Sequence, residues 1–329
     1  RKGVLNELRR VLVTGANGFV GRLLRARLER EGIAVTGTWY LPDADPQNPA
    51  MEAAGLVYLD LSDPACVDRA LDVARTVDAV FHLAALASVS ACSAQPDLCM
   101  DINLTGTVRL VNALRARQQP VRFLFAGSAE IYGIPLSLPL REEHPVQPVT
   151  PYGIAKAAAD QFLAWCHKAH GMDVIRLRMF NHTGPGQPDT YVLPSFCRQV
   201  AEMEAGLREP VLKTGDLGVR RDLLHVDDVL EAYLAAARRG KPGAAYNICR
   251  GEAPPLSDVV DLIRARSLVP FRVETDPARL RPVDIPVLLG DASRFRRDTG
   301  WTPRKSLDDM VSDLLDYWRG RIRSASDAS

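Results

Sequence analysis

No apolar run in this chain of 329 residues approaches the roughly 20 residues needed to cross a bilayer, so no membrane span is expected. Neither sign of charge is in excess. Forty-one Lys and Arg face 40 Asp and Glu, a net charge of +1, which leaves no electrostatic reason to invoke nucleic acid or an acidic membrane. The arginines are scattered along helical patterns and read as solvated faces. The six cysteines, Cys66, Cys92, Cys99, Cys166, Cys197 and Cys249, lack CxxC or metal-ligand spacing. They are expected to be buried, reduced and structural, with no metal site, as in a cytoplasmic protein. Residues 1–10 are basic but have no apolar core and no cleavage site, so no signal peptide is expected. Internal repeats and low-complexity tracts are also missing. What is present is ordinary globular material, 47% hydrophobic and 25% charged, long enough for one large α/β unit or two lobes.

In the first half, short apolar runs alternate with helical patterns, which predicts parallel strands joined by crossover helices. Strands are expected at 10–14, 33–38, 56–60, 79–83, 121–125 and 174–178. Helices are expected from Val20 to a stop at Gly32, over 101–117, and from Tyr152 to about His170. The fold class is therefore α/β, a doubly wound parallel sheet whose ligand belongs at the carboxyl ends of its strands. Beyond Phe180 prolines and glycines crowd the chain, around helical stretches at 194–204 and 257–266. The organisation read from this is a dinucleotide-binding domain, 1–180 plus about 222–250, a smaller irregular substrate lobe, 181–221 and 251–318, and a frayed tail, 319–329.

Gly15, Gly18 and Gly21 recur at every third position between the first strand and the first helix. Small residues there permit a tight turn, let backbone N–H groups approach a pyrophosphate, and keep helix and strand close. An acid about 20 positions on would bind the adenosine ribose and favour NAD. Here the second strand ends Thr36-Gly37-Thr38-Trp39-Tyr40, and the carboxylates Asp43 and Asp45 come only later. A clamp for a 2′-phosphate is not obvious either, although Arg22 follows the turn. The missing acid favours NADP, with NAD as the alternative. Asp60 is read either as a partner of the adenine amino group or as part of a helix N-cap, Asp60-Leu61-Ser62-Asp63.

Tyr152 and Lys156 lie four apart, on one face if the segment is helical. An adjacent ammonium favours the phenolate and is expected to lower the tyrosine pKa from its usual value of about 10. Such a tyrosine exchanges a proton with a substrate oxygen while a nicotinamide exchanges hydride.

Five motifs in this order resemble the extended short-chain dehydrogenase/reductase family, which acts on nucleotide sugars. They are Thr14-Gly15-x-x-Gly18-Phe19-x-Gly21, His82-Leu83-Ala84-Ala85, Asn103-Leu104-Thr105-Gly106-Thr107, Tyr152-x-x-x-Lys156 and Arg221-Asp222-Leu223-Leu224-His225-Val226-Asp227-Asp228. The resemblance covers essentially the whole chain. It implies cofactor contacts from Gly15, Asn17, Gly18, Phe19, Val20, Gly21, Trp39, Asp60, Leu61, Leu83, Ala84, Ala85 and Asn103, with Tyr152 and Lys156. It also implies a catalytic set of Ser128, Tyr152 and Lys156, in which Ser128 hydrogen-bonds the reacting sugar oxygen. By the same analogy a homo-oligomer, dimer or tetramer, is expected.

Narrower similarity points to GDP-sugar enzymes. Arg178-Met179-Phe180-Asn181-His182-Thr183-Gly184-Pro185-Gly186-Gln187 and Leu280-Arg281-Pro282-Val283-Asp284-Ile285-Pro286 are similar to segments of GDP-mannose 4,6-dehydratases and GDP-4-keto-6-deoxymannose reductases. This implies a GDP-sugar held by Asn181, Arg221, Arg281 and Asp284, and Arg220 is a further candidate for the diphosphate. Glu130 matches the extra acid/base of the dehydratases, but reductases that make GDP-rhamnose resemble this chain there too. The second strand lacks the dehydratases' paired basic residues, and Ser128 replaces their threonine. The expected activity is therefore 4-ketone reduction, with 4,6-dehydration as the alternative. A UDP-sugar 4-epimerase is disfavoured by the Arg281-Pro282-x-Asp284 element. A non-catalytic redox sensor is disfavoured because Tyr152 and Lys156 are both present.

Overall fold

The computed structural model describes residues 8–41, 45–280 and 285–326. Six strands build most of a parallel sheet: β1 (Arg10–Thr14), β2 (Ala34–Trp39), β3 (Leu56–Tyr58), β4 (Ala79–His82), β5 (Arg122–Ser128) and β6 (Val174–Met179). The short pieces β7 (Asn181–Thr183), β8 (Val211–Thr214), β9 (Arg220–Arg221) and β10 (Leu223–His225) lie outside it. Then β11 (Ala245–Ile248) rejoins the sheet beside β6, and β12 (Arg272–Thr275) and β13 (Val287–Leu288) follow. The sheet order is β11-β6-β5-β4-β1-β2-β3. Strand order therefore reverses between β1 and β4, which opens a crevice at their carboxyl ends.

The helices are α1 (Phe19–Arg30), α2 (Pro49–Ala53), α3 (Pro64–Ala74), α4 (Val89–Ala94), α5 (Pro96–Met100), α6 (Thr107–Ala116), α7 (Pro151–His170), α8 (Val192–Glu204), α9 (Val226–Arg239), α10 (Leu256–Arg266), α11 (Ser293–Thr299) and α12 (Leu307–Ser326). Alternation along β1 shows why both faces of the sheet must be covered. Val11 and Val13 enter a core with Leu24 and Leu28 of α1 and Tyr233 of α9. Leu12 enters the opposite core, with Leu71 of α3, Leu110 of α6 and Leu163 of α7. A third core joins α8, α10 and α12 through Phe196, Val200, Val260, Ile263, Met310 and Leu314.

The observed elements differ from the sequence expectation in several places, among them the fifth strand, which runs on to Ser128 rather than ending at residue 125. The third strand ends at Tyr58 rather than at residue 60. The helix expected over 101–117 is broken into a π turn, Asp101–Gly106, before α6. There the Thr107 hydroxyl donates to the Asn103 carbonyl at 2.8 Å. Such turns concentrate at functional sites. The tail does not fray at residue 319, because α12 continues to Ser326. Arg319 donates to both Glu204 oxygens, at 2.7 and 2.8 Å, and to the Arg266 carbonyl, docking the helix on α8 and α10. Among the described residues no helix is long and apolar enough to cross a membrane.

Candidate active site

The glycine turn closes over β1. Gly15 takes a φ of +70°, and a Cβ there would meet the Ala84 backbone at 3.0 Å. A Cβ on Gly21 would come within 2.1 Å of the Gly15 carbonyl, so helix and turn approach too closely for any side chain. α1 starts at Gly18 with no side-chain cap. Its first N–H groups are therefore open to an anion at the positive end of the helix dipole. Asn17 donates to the Tyr40 carbonyl at 3.2 Å and ties the turn to the end of β2. This cradle fits a dinucleotide diphosphate.

The flanking cofactor positions are used unevenly. Trp39 is 1% exposed, and its ring packs edge-on against Tyr58 at 5.1 Å, so its indole does not reach the crevice. Asp60 does not cap a helix. Its Oδ1 accepts from the amide and hydroxyl of Ser62, at 2.8 and 2.7 Å, while the cap of α3 is Asp63. Leu61 is buried, and its carbonyl accepts from Arg109 at 3.1 Å. Arg22, which follows the turn, donates to the Gly186 carbonyl.

At the end of β4, the amides of Leu83 and Ala84 donate to Thr14 Oγ1 at 3.2 and 3.1 Å. Ala85 follows, half-buried. Asn103 turns to the loop rather than the crevice. Its amide accepts from Leu86 N at 2.8 Å and donates to Leu86 O at 3.0 Å. His82 bridges Thr14 Oγ1, at 2.8 Å, and Thr107 Oγ1, at 3.0 Å. Burial, with the nearby Lys156 charge, holds its pKa down at about 3, so the ring is neutral. Because Thr107 spends its proton on Asn103, its oxygen accepts from His82 Nε2–H, and His82 Nδ1 accepts from Thr14. One directed chain therefore ties the glycine turn to the π turn. Thr14, His82 and Thr107 were missed as site residues because their contacts join two strands, β1 and β4, and the helix α6, far apart in sequence.

α7 carries Tyr152 and Lys156 at its start. Thr150 caps it, accepting from Gly153 N at 3.0 Å, with Pro151 at the first helical position. One turn past Lys156, the buried Asp160 accepts from Arg176 at 2.7 Å and from Arg178 at 3.1 and 3.2 Å, which fixes the helix against β6. Ser128 ends β5 close enough to Tyr152 to act on its hydroxyl; its Oγ accepts from Glu130 N at 3.1 Å. Ser128, Glu130, Tyr152 and Lys156 are thus brought together at the carboxyl edge of the sheet. Tyr191, which carries no sequence signal, lies close enough to act on Tyr152.

The electrostatics overturn one expectation. The Tyr152 phenol is not made acidic. Burial pushes its pKa above the ordinary value, the Ser128 hydroxyl opposes this, and the Glu130 charge adds to the rise. The Lys156 ammonium sits 5.9 Å from the Tyr152 ring centroid and donates instead to the Ala126 carbonyl at 2.9 Å. Burial lowers the Lys156 pKa to about 8.

On the substrate side, β7 pairs with β10, Asn181 opposite Leu223, two residues along the chain from Arg221. Arg221 donates to the carbonyls of Ile285, at 2.6 Å, and Arg220, at 3.0 Å. Arg281 and Asp284 lie outside the described residues. All six cysteines are free and buried. Among the described residues no cluster of ligands could hold a metal.

A family model described as GDP-mannose 4,6 dehydratase matches residues 12–314. The chain is 34% identical to the GDP-6-deoxy-D-mannose reductase of Pseudomonas aeruginosa, over 95% of this chain and 98% of that one. The structure of RMD from Pseudomonas aeruginosa complexed with NADPH superposes with a TM-score of 0.83 at 32% identity, covering 95% of this chain and 99% of that chain. A Thermus thermophilus UDP-glucose 4-epimerase complexed with NAD superposes with a TM-score of 0.82 at 29% identity, over 94% and 99%.

Proposed function

The chain belongs to the family described as GDP-mannose 4,6 dehydratase, and from that premise we propose that it reduces the C4 ketone of a GDP-4-keto-6-deoxyhexose to a GDP-6-deoxyhexose of the GDP-rhamnose type. It is an NAD(P)-dependent enzyme of the extended short-chain dehydrogenase/reductase class, with NADP the favoured coenzyme and NAD possible. The observation that carries the reading is the grouping of Ser128, Tyr152 and Lys156 beside the glycine cradle. When bound, the reduced coenzyme supplies the hydride for C4.

The residues of the chain do the rest. The Ser128 hydroxyl orients the ketone oxygen. Tyr152 holds its proton firmly, because burial raises its pKa, and gives it up only to the stronger base, the alkoxide forming at C4. The Lys156 cation then steadies the phenolate. Gly15, Gly18 and Gly21 would hold the coenzyme diphosphate. Asn181, Arg221, Arg281 and Asp284 are proposed to hold the GDP-sugar, and the substrate lobe is taken as 181–221 with 251–318. A cytoplasmic homo-oligomer, dimer or tetramer, belongs to the same proposal and is checked by light scattering.

Glu130 favours one competing reading. Its charge acts on Tyr152, as a second acid/base for 4,6-dehydration would. One assay separates the two. GDP-4-keto-6-deoxymannose with NADPH is expected to lose nicotinamide absorbance and yield a GDP-6-deoxyhexose. Conversion of GDP-mannose to the keto sugar without net coenzyme use would establish the dehydratase instead.

A further inference from the structure

Arg220 and Arg221 are consecutive in β9, so their side chains leave opposite faces of the strand. Arg221 turns to the Ile285 carbonyl and belongs to the site above. Arg220 opens on a different cavity of about 360 Å³, lined also by Arg250, Glu252, Leu223, Pro254 and Leu307. That size falls within the range of small-ligand sites, about 300–1,000 Å³.

Both arginines are held in advance. Arg220 Nε donates to the Ala253 carbonyl at 2.9 Å, which sets the guanidinium plane. Among the described residues no acceptor takes its two terminal nitrogens. Arg250 is anchored by its backbone N–H on Asp222 Oδ1 at 2.7 Å and by its side chain on the Lys305 carbonyl. Asp222 is fully buried and also accepts from Gly251 N at 2.9 Å and Gly290 N at 3.3 Å, so the loop that presents Arg250 is rigidly tethered. The carboxylate facing Arg250, Glu252, stands 3.3 Å from its Nε with a side chain 72% exposed, a geometry in which ion pairs contribute little.

Two guanidiniums against one solvated carboxylate leave the cavity positive. The terminal nitrogens of Arg220 and Nη2 of Arg250 remain to donate to an oxyanion, and Leu223, Pro254 and Leu307 offer apolar walls to the ring or carbon frame that carries it. We infer that this cavity is a second ligand site, separate from the nucleotide-sugar cleft, for a small molecule bearing a phosphate or carboxylate group.

Calorimetric titration of the full chain, first saturated with GDP and NADP, tests this with inorganic pyrophosphate and, separately, with citrate. GDP fills the proposed nucleotide-sugar cleft and NADP the glycine cradle, so binding that survives both reports the second cavity. An oxyanion is expected to bind the GDP-loaded protein, and Arg220→Gln or Arg250→Gln should each weaken it by about tenfold, the loss of one charge-assisted hydrogen bond. Glu252→Gln removes the competing carboxylate and should tighten binding, a gain that misfolding cannot mimic. Pyrophosphate binding better than citrate identifies a phosphate ligand, and the reverse order a carboxylate. Loss of all oxyanion binding under GDP, or unchanged affinity in the arginine and Glu252 variants, overturns the inference. Failure of GDP itself to bind would count against the proposed function instead, and the variants compared without GDP would still decide the second site.

Discussion

Lys156 offers a way to test the mechanism by pH alone. The residue is buried, 3% exposed, with its Nζ 2.9 Å from the Ala126 carbonyl, and its pKa is lowered to about 8. A lowered pKa means the cation is present below that value and lost above it. With a pKa of about 8, roughly nine-tenths of the side chain is charged at pH 7 and roughly one-tenth at pH 9. If the cation steadies the phenolate formed at Tyr152, kcat/KM for ketone reduction should fall about ninefold between these two pH values, equivalent to about 1.3 kcal/mol of transition-state stabilisation. Tyr152 does not confuse the reading, since its pKa is pushed above the usual range and it stays protonated throughout. His82, with a pKa of about 3, is silent as well. The assay follows NADPH absorbance with a GDP-4-keto-6-deoxyhexose across pH 6–9.5, for the native chain and for Lys156→Met. The variant should be slow and flat across the alkaline range. A native profile that stays level to pH 9, or a variant that keeps the fall, would remove the cation from the mechanism.

Four other outcomes are expected. Tyr152→Phe should nearly abolish turnover while GDP still protects the chain in a melting scan; undiminished activity refutes its role as proton donor. Gly21→Ala places a Cβ 2.1 Å from the Gly15 carbonyl, so coenzyme binding followed by nicotinamide fluorescence should be lost. Asp160→Ala leaves Arg176 and Arg178 without their buried carboxylate and should cost about 3–5 kcal/mol in denaturant unfolding; a loss below about 1 kcal/mol refutes the structural role. GDP should raise the melting temperature where UDP does not, and protection by UDP alone would redirect the assignment to an epimerase.

Local patterns reported elements well. The apolar runs of β1, β4, β5 and β6 are buried on both faces, and such strands announce themselves by composition. The glycine spacing and the Tyr152–Lys156 interval are short-range signals for the same reason, since every member lies within one turn or one helix. Asn103, in a motif, and Trp39 and Asp60, near strand ends, were legible as cofactor candidates but not in what their side chains do. Asn103 serves Leu86, Trp39 packs on Tyr58, and Asp60 closes a turn on Ser62. The π turn was invisible because it depends on Thr107 taking the Asn103 carbonyl while also meeting His82. The helical tail was misread because its polar composition hides the Arg319–Glu204 anchor.

Residue order alone determined the doubly wound class, the place of the glycine turn and the residues proposed to surround the reacting oxygen. These depend on backbone periodicity and on groups a few positions apart, which the chain carries in itself. Only the tertiary structure decided the protonation balance of Tyr152 and Lys156. That balance comes from how much water the packed strands and α7 exclude, and from Ser128 at the end of β5 and Glu130 in the turn that follows it. It reversed the expected acidity of the phenol, in keeping with the proton-donor role proposed for it. The direction in which each arginine of β9 points was likewise settled by the strands and loops packed against it.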